Sequence, residues 1–145
     1  MAHPDFDELL NALIPFAQQM LAKHGEFFPF GVTMSNDGEI AAEAAYDVDE
    51  QPPAEQLISM LTEAFRQKAG SGQIRAAGIC CDVRTIPPGK TEKTDALCLE
   101  LEHQAGDAAN LYLPYKKGLF GRYKYGEIFG VARTPEFFVQ SGGTA

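Results

Sequence analysis

Residues 73–115 contain three consecutive segments with the composition of β-strands, and this run most constrains the fold. In the middle segment Leu97, Leu99 and Leu101 alternate with Cys98, Glu100 and Glu102. That alternation predicts a strand with one buried face and one solvated face. The short turn AGDA separates the second segment from the third. Consecutive strands joined by such turns indicate an antiparallel sheet. The three segments are QIRAAGICCDVRT, DALCLELEHQ and ANLYLPY.

Two amphipathic segments predict helices, because their apolar residues recur at helical spacing. The first is PDFDELLNALIPFAQQMLAKHG, in which Asp5 is expected to cap the helix and Glu8 to complete a capping box. Pro15 predicts a kink or a break, because proline removes the hydrogen bond to the carbonyl of residue 11. The second helix is expected from about Pro53 to Ala69. Its apolar face is formed by Leu57, Ile58, Leu61, Ala64 and Phe65.

Two further strands are expected between the helices, at Phe27 to Met34 and Glu39 to Val48. The intervening SNDG has strong turn chemistry, since Asn, Asp and Gly tolerate positive φ. Near the carboxyl end, EIFGVAR predicts a short strand and TPEFF a helical turn.

The resulting prediction is a two-layer α+β domain in the order α-β-β-α-β-β-β, followed by a short terminal strand or helix. An antiparallel sheet of about five strands would carry both helices on one face. Residues 1–140 would form one domain and residues 141–145 a flexible tail.

Composition limits the class of protein. Hydrophobic residues make up 45% and charged residues 22% of the 145 residues, which suits a folded chain. The net charge of −8 disfavours binding to nucleic acid or to anionic membranes. The amino terminus lacks the pattern of a signal peptide, and the three cysteines include no C-x-x-C pair. These features favour a reduced, cytoplasmic protein without a metal or cofactor.

No complete catalytic constellation is visible in the sequence. His103 follows Glu100 and Glu102, but alternation places it on the opposite face of the strand, so we interpret it as structural or exposed. Cys80 and Cys81 are adjacent and are expected to be inert, because no base accompanies either thiol. GLFGRYKYG does not match a phosphate-binding loop. We therefore predict no catalytic residue, while enzymatic activity stays open.

A basic and aromatic segment near the carboxyl end is the main candidate surface. No acidic residue occurs between Leu111 and Gly126. Aromatic and basic residues together are typical of protein interfaces, which favours a protein partner or self-association, and they also suit a small anionic ligand. The alternative is an amphipathic strand pair whose cations balance nearby acids. The candidate residues are Tyr115, Lys116, Lys117, Phe120, Arg122, Tyr123, Lys124 and Tyr125.

A second hypothesis is a small-molecule site or an enzyme pocket around the aromatic cluster of EFFPFG. Such a pocket would be partly polar and concave. Its residues would be Phe27, Phe28, Phe30, His103 and Tyr115.

The motifs EFFPFG, DGEI, LEHQAG and LPY, spread over residues 27–115, resemble a family of small bacterial proteins of unknown function. That resemblance implies a bacterial cytosolic domain and no particular activity. A looser similarity, in size, acidity and the pairing of helices with an antiparallel sheet, is to type III secretion chaperones. It implies a dimeric accessory protein, although such chaperones place three strands between their helices and this sequence predicts two. Together these considerations favour a non-catalytic interaction protein of the chaperone or immunity type.

Overall fold

The computed structural model describes residues 3–44 and 52–139 and contains two helices and seven strands in that part of the chain. The mixed α+β class and the antiparallel sheet are confirmed. The helices are α1 (Asp5–His24) and α2 (Ala54–Gly70). The strands are β1 (Phe30–Ser35), β2 (Ile40–Glu43), β3 (Ile74–Thr85), β4 (Thr94–His103), β5 (Ala108–Lys117), β6 (Tyr123–Tyr125) and β7 (Phe129–Ala132).

All seven strands belong to one sheet, in the spatial order β2-β1-β3-β4-β5-β6, with β7 also paired to β5. Every pairing is antiparallel. The SNDG turn joins β1 to β2, with Gly38 at φ 86° and its N–H bonded to the carbonyl of Ser35. Predicted strand residues 45–48 lie outside the described part of the chain.

The two helices pack on opposite faces of the sheet, so the prediction of two layers with both helices on one face is wrong. Phe30, Val32 and Met34 of β1 contact the cluster around α1, whereas Ile79 of β3 packs with Phe65 of α2. Strand side chains alternate between faces, and both faces of the central strands are apolar. The sheet therefore forms the middle of three layers.

Two glycines show how closely each helix approaches the sheet. A Cβ on Gly31 would lie 2.6 Å from the Phe65 ring of α2. On the other face, a Cβ on Gly78 would lie 2.9 Å from Leu13 of α1 and from Leu101. Because these distances are shorter than any normal carbon contact, glycine at each position lets a helix pack against the strands.

The second face of β4 is buried rather than solvated. Cys98 is 4% exposed and Glu102 is fully buried, while Glu100 is only partly covered. Alternation correctly separates the leucines from the acids, but sequence polarity does not reveal that the chain after β7 returns to cover this face.

Strands β6 and β7 form one interrupted partner for β5. Tyr115 pairs with Tyr125 and Tyr112 pairs with Phe129, so residues 126–128 oppose only two residues of β5. One of these is Pro114, which has no N–H to donate, while its carbonyl accepts from the N–H of Gly126. The extra residue forms a bulge that separates the two short strands.

Three local predictions need correction. The N-cap of α1 is Pro4, not Asp5, and Asp5 instead contacts residues of the sheet. Of the kink or break predicted at Pro15, the break is wrong, because α1 continues through this residue. The TPEFF segment forms a bend rather than a helical turn, because its backbone N–H groups bond to the carboxylate of Glu102.

Candidate functional site

The basic and aromatic segment forms the β5–β6 hairpin, and its aromatic residues divide into two groups. Tyr115 is buried, and its hydroxyl donates to Asp82 at 2.7 Å. Burial and the Asp82 carboxylate raise the pKa of Tyr115, so the phenol stays neutral. Half-buried Tyr123 and Tyr125 pack against it, with ring centroids 5.8 and 6.1 Å away. These three tyrosines stabilise the hairpin and are not a free surface.

The hairpin tip, residues 118–122, is the most exposed apolar part of the described chain. Leu119 is 83% exposed and Phe120 is 96% exposed. Phe120 has φ 61° and ψ 27°, and Gly121 follows with φ 72°. Two successive positive φ angles define a type I′ turn, which favours Asn, Asp or Gly at both positions.

Phe120 is the only non-glycine residue with positive φ in the described chain. The left-handed region costs an ordinary side chain about 1–2 kcal/mol. The ring makes up for none of this through burial, because it is almost fully exposed. Burial within the described part of the chain therefore does not offset the strain at Phe120.

Four cations flank the tip. All four are exposed, and none of them has an ion-pair partner among the described carboxylates. The salt bridges of the described chain involve other cations, so no carboxylate of the described residues neutralises the tip by direct contact. The four residues are Lys116, Lys117, Arg122 and Lys124.

An open groove of about 740 Å³ runs beside the hairpin. It lies between the loop after β3 and the bulge between β6 and β7. Lysines 90, 93, 116 and 124 line it together with two glutamates, Glu92 and Glu127. Tyr115, Tyr125 and Phe129 add aromatic edges. The groove therefore carries a net positive charge in a chain whose overall charge is −8.

The predicted aromatic pocket is not assembled as one site. Phe27, Phe30 and Tyr115 belong to the buried cluster under α1, whereas Phe28 is half-buried. His103 lies at the far end of β4, eight residues beyond Asp95, the register partner of Tyr115. At about 3.4 Å per residue the two are too far apart to share a small ligand.

The contacts of His103 indicate a structural role. Its Nε2 lies 2.8 Å from Asp5 Oδ2, and the N–H of Ala105 donates to its Nδ1. The His3 ring stacks on it at 3.6 Å, and the Arg75 guanidinium lies 3.1 Å from Asp5. His3, Asp5 and His103 are close enough to hold an ion. Nδ1 of each histidine accepts a backbone N–H, and Asp5 contacts both His103 and Arg75, so we interpret the cluster as a tie between α1 and the sheet.

A buried ionic cluster anchors the carboxyl end of the described chain. The sequence did not predict it. Glu102 accepts from Arg133 Nε at 2.8 Å and from the backbone N–H groups of Glu136, Phe137 and Phe138. Arg133 also approaches Glu100 at 3.3 Å. The only sequence signal was a pair of acids on an otherwise apolar strand.

Two of the three cysteines face each other. Cys81 and Cys98 are register partners on β3 and β4, while Cys80 points to the opposite face. Hydrogen bonds from Cys81 and Tyr112 lower the pKa of Cys98, and the same contact raises the pKa of Cys81. Burial also raises the pKa of Cys80. It raises the pKa of Glu100, which lies on the same face as Cys98.

Comparison with known proteins returned no matching family model, curated protein or solved structure. In the described part of the chain, no helix is long and apolar enough to cross a membrane.

Proposed function

We propose that this is a non-catalytic interaction protein, and that the tip of its β5–β6 hairpin docks onto an acidic surface of another protein. The observation that carries the proposal is Phe120, a phenylalanine in a left-handed conformation with its ring 96% exposed. Strained residues persist where a function requires them. A large ring at the apex of a tight turn is well placed to enter a pocket on a partner.

The hydrogen bonds at the base of the tip support docking. Strands β5 and β6 are paired up to Lys117 and Tyr123, and the N–H of Gly118 bonds to the carbonyl of Arg122. A preorganised turn loses little conformational entropy on binding. Phe120 and Leu119 can therefore contribute apolar contact at a low ordering cost.

Charge indicates the chemistry of the partner. Four exposed cations surround the apolar tip, and the segment from Leu111 to Gly126 contains no acid. A partner with acidic residues around an apolar pocket would complement this pattern. Two tips of the same protein would bring eight cations together, which disfavours tip-to-tip pairing, and we propose a different protein as the partner. Secretion chaperones and immunity proteins are accessory proteins of this general type.

The experiment uses a displayed library of random peptides selected on the immobilised protein. We expect enriched peptides that combine Asp or Glu with a large apolar residue and that lose binding as salt increases. F120N should abolish their binding, and the pair K116E/K117E should weaken it at least tenfold. M60A, which trims another exposed apolar residue on α2, is the control and should bind as the wild type does.

Each alternative outcome contradicts the proposal in its own way. Peptides that bind F120N and the wild type equally would place the interface elsewhere. Binding to vesicles of phosphatidylserine without any peptide enrichment would indicate a membrane-binding tip. Concentration-dependent dimerisation that F120N removes, measured by analytical ultracentrifugation, would assign the tip to self-association.

The groove supports a second candidate function, the binding of a small anionic molecule with an aromatic group. Its four lysines and its volume of about 740 Å³ carry this alternative. A thermal-shift screen of phosphorylated and carboxylated metabolites tests it, since a ligand of the folded state stabilises by mass action. K90E/K93E should remove such a shift while leaving the tip intact, and a screen without any shift would exclude the metabolites tested.

A further inference from the structure

The facing cysteines form a group of potential ligands that the chain order conceals. Cys81 of β3 and Cys98 of β4 are directly opposite in the register. Both are nearly buried, at 3% and 4% exposure, on the face of the sheet that carries α2. Cys80 precedes Cys81 along the chain but packs on the opposite face, in the cluster under α1. The cysteines adjacent in sequence are therefore Cys80 and Cys81, whereas the cysteines that face each other are Cys81 and Cys98.

Glu100 supplies a third donor beside the two thiols. It lies two residues beyond Cys98 on the same strand and therefore on the same face. One potential ligand atom from each of Cys81, Cys98 and Glu100 lies within 4.8 Å of the others. We propose that these three side chains bind one borderline-soft divalent cation of the zinc class.

The spacing suits this coordination. Zinc binds sulfur at about 2.3 Å and carboxylate oxygen at about 2.0–2.2 Å. Donor atoms of a tetrahedral site are then roughly 3.5 Å apart, so the three donors need only small rotations to close on one ion. Two thiolates select zinc over magnesium or calcium, which prefer oxygen ligands alone.

A pocket reaches the carboxylate of the proposed site, although neither thiol lines it. Glu100 lines a pocket of about 340 Å³ together with Thr62 and Glu63 of α2 and with Glu136. Water from this pocket could complete the tetrahedron, as in zinc sites with three protein ligands. Three glutamates and one arginine, Arg66, line the pocket, and this net negative charge favours entry of a cation.

Arg133 would orient the carboxylate. Its Nη1 lies 3.3 Å from Oε1 of Glu100, and we expect the other oxygen, Oε2, to turn to the metal. Such outer contacts fix the direction of a metal ligand. On binding, each thiol exchanges its S–H bond for a sulfur–metal bond and releases its proton to the buffer, and no electron is transferred.

The competing interpretation is that the thiols act as small apolar side chains. That role explains Cys80, whose neighbours in its cluster are apolar. It does not explain why Cys81 and Cys98 face a carboxylate inside the protein. Since the sequence lacks a C-x-x-C motif, only the strand register reveals this ligand set.

The experiment titrates the full-length, reduced, metal-free protein with Co²⁺ under anaerobic conditions. We expect thiolate-to-cobalt charge-transfer absorption and tetrahedral d–d bands that saturate at one cobalt per chain. C81S and C98S should each abolish the charge-transfer band or halve it, and E100Q should weaken cobalt affinity about tenfold or more. C80S is the matched control, because it removes a buried thiol one residue away on the other face and should leave the spectrum unchanged.

Wild-type measurements keep the proposal falsifiable even where a variant folds poorly. Absence of charge-transfer absorption in the reduced wild-type protein would overturn it, as would an equal loss in C80S. Cobalt bound without thiolate absorption would indicate adventitious carboxylate binding and would also overturn it.

Discussion

His103 at the end of β4 and Asp5 in the first turn of α1 are joined by a 2.8 Å hydrogen bond across 98 residues of sequence. The N–H of Ala105 donates to Nδ1 of His103, which assigns the ring proton to Nε2 and makes Asp5 the acceptor. The carboxylate therefore links the amino-terminal helix to the edge of the β4–β5 hairpin.

Asp5→Asn is expected to destabilise the protein at pH 7. The hydrogen bond from His103, together with the charge of Arg75, lowers the pKa of Asp5 below 3.8 despite its desolvation. The stability gained from the ionised carboxylate is therefore present above the ordinary pKa and lost as the pH falls through the lowered folded pKa. Urea denaturation should show a gap between wild type and variant at pH 7 that begins to narrow below about pH 4 and closes at still lower pH.

Asp7→Asn is the matched control for Asp5, because Asp7 lies in the same first turn but is exposed. It keeps the interaction of Asp5 with the sheet and removes only a surface charge near the helix terminus. An equal loss of stability in the two variants would attribute the effect to the helix dipole and contradict the contact with His103.

Glu102→Gln should destabilise the protein by about 3–5 kcal/mol, the usual cost of breaking a buried ion pair. The fully buried carboxylate accepts from Arg133 and from three consecutive backbone N–H groups, and an amide can satisfy only part of this set. Hydrogen exchange should show residues 133–139 opening before the rest of the sheet.

Glu136→Gln provides the comparison for Glu102. Glu136 also pairs with Arg133, at 3.4 Å, but its side chain is 54% exposed. Exposed ion pairs contribute about 0–1 kcal/mol. A loss as large as that of Glu102→Gln would show that the charge of Arg133, rather than the buried hydrogen bonds, holds the segment.

Gly31→Ala should cost at least about 1–3 kcal/mol, because a methyl group there would overlap both the Phe65 ring and the carbonyl oxygen of Gly78. Gly70→Ala is the control, since nothing lies within 4 Å of its Cβ position and it ends α2. Chemical denaturation should find that control neutral or slightly stabilised. Unchanged stability in Gly31→Ala would contradict the packing of α2 against β1.

Phe120→Asn should stabilise the isolated protein by about 0.5–1 kcal/mol, although it is expected to abolish binding. Asn tolerates positive φ, whereas phenylalanine is strained there. Thermal unfolding in the absence of any partner measures this effect. A less stable variant would mean that the ring contributes to folding, and the argument from strain would fail.

The periodic elements could be predicted from the sequence because their signals are local. Alternating leucines in β4 and the SNDG turn depend on a few neighbouring residues. The placement of α2 could not be predicted in this way, since a helix with one apolar face fits either side of a sheet. The decisive feature was β3, where Ala76 and Cys80 face one helix while Ala77 and Ile79 face the other.

The candidate site was predictable only in part. Charge and aromatic content identified the β5–β6 hairpin, but they did not separate buried Tyr115 from exposed Phe120. The contrast arises from a turn geometry that Phe120, unlike Gly121, does not favour. The thiol pair and the Glu102–Arg133 cluster depend on register and on a chain reversal, which act between residues distant in sequence.

Site-specific photo-crosslinking from the tip tests the central claim most directly. A benzophenone amino acid at Leu119, which is 83% exposed, should crosslink in cells to an acidic protein, at a position flanked by Asp or Glu. The adduct should disappear with K116E/K117E, and the same probe at Met60 should not form it. If the Leu119 probe yields no adduct, or the same adducts as the Met60 probe, the hairpin tip is not a docking site.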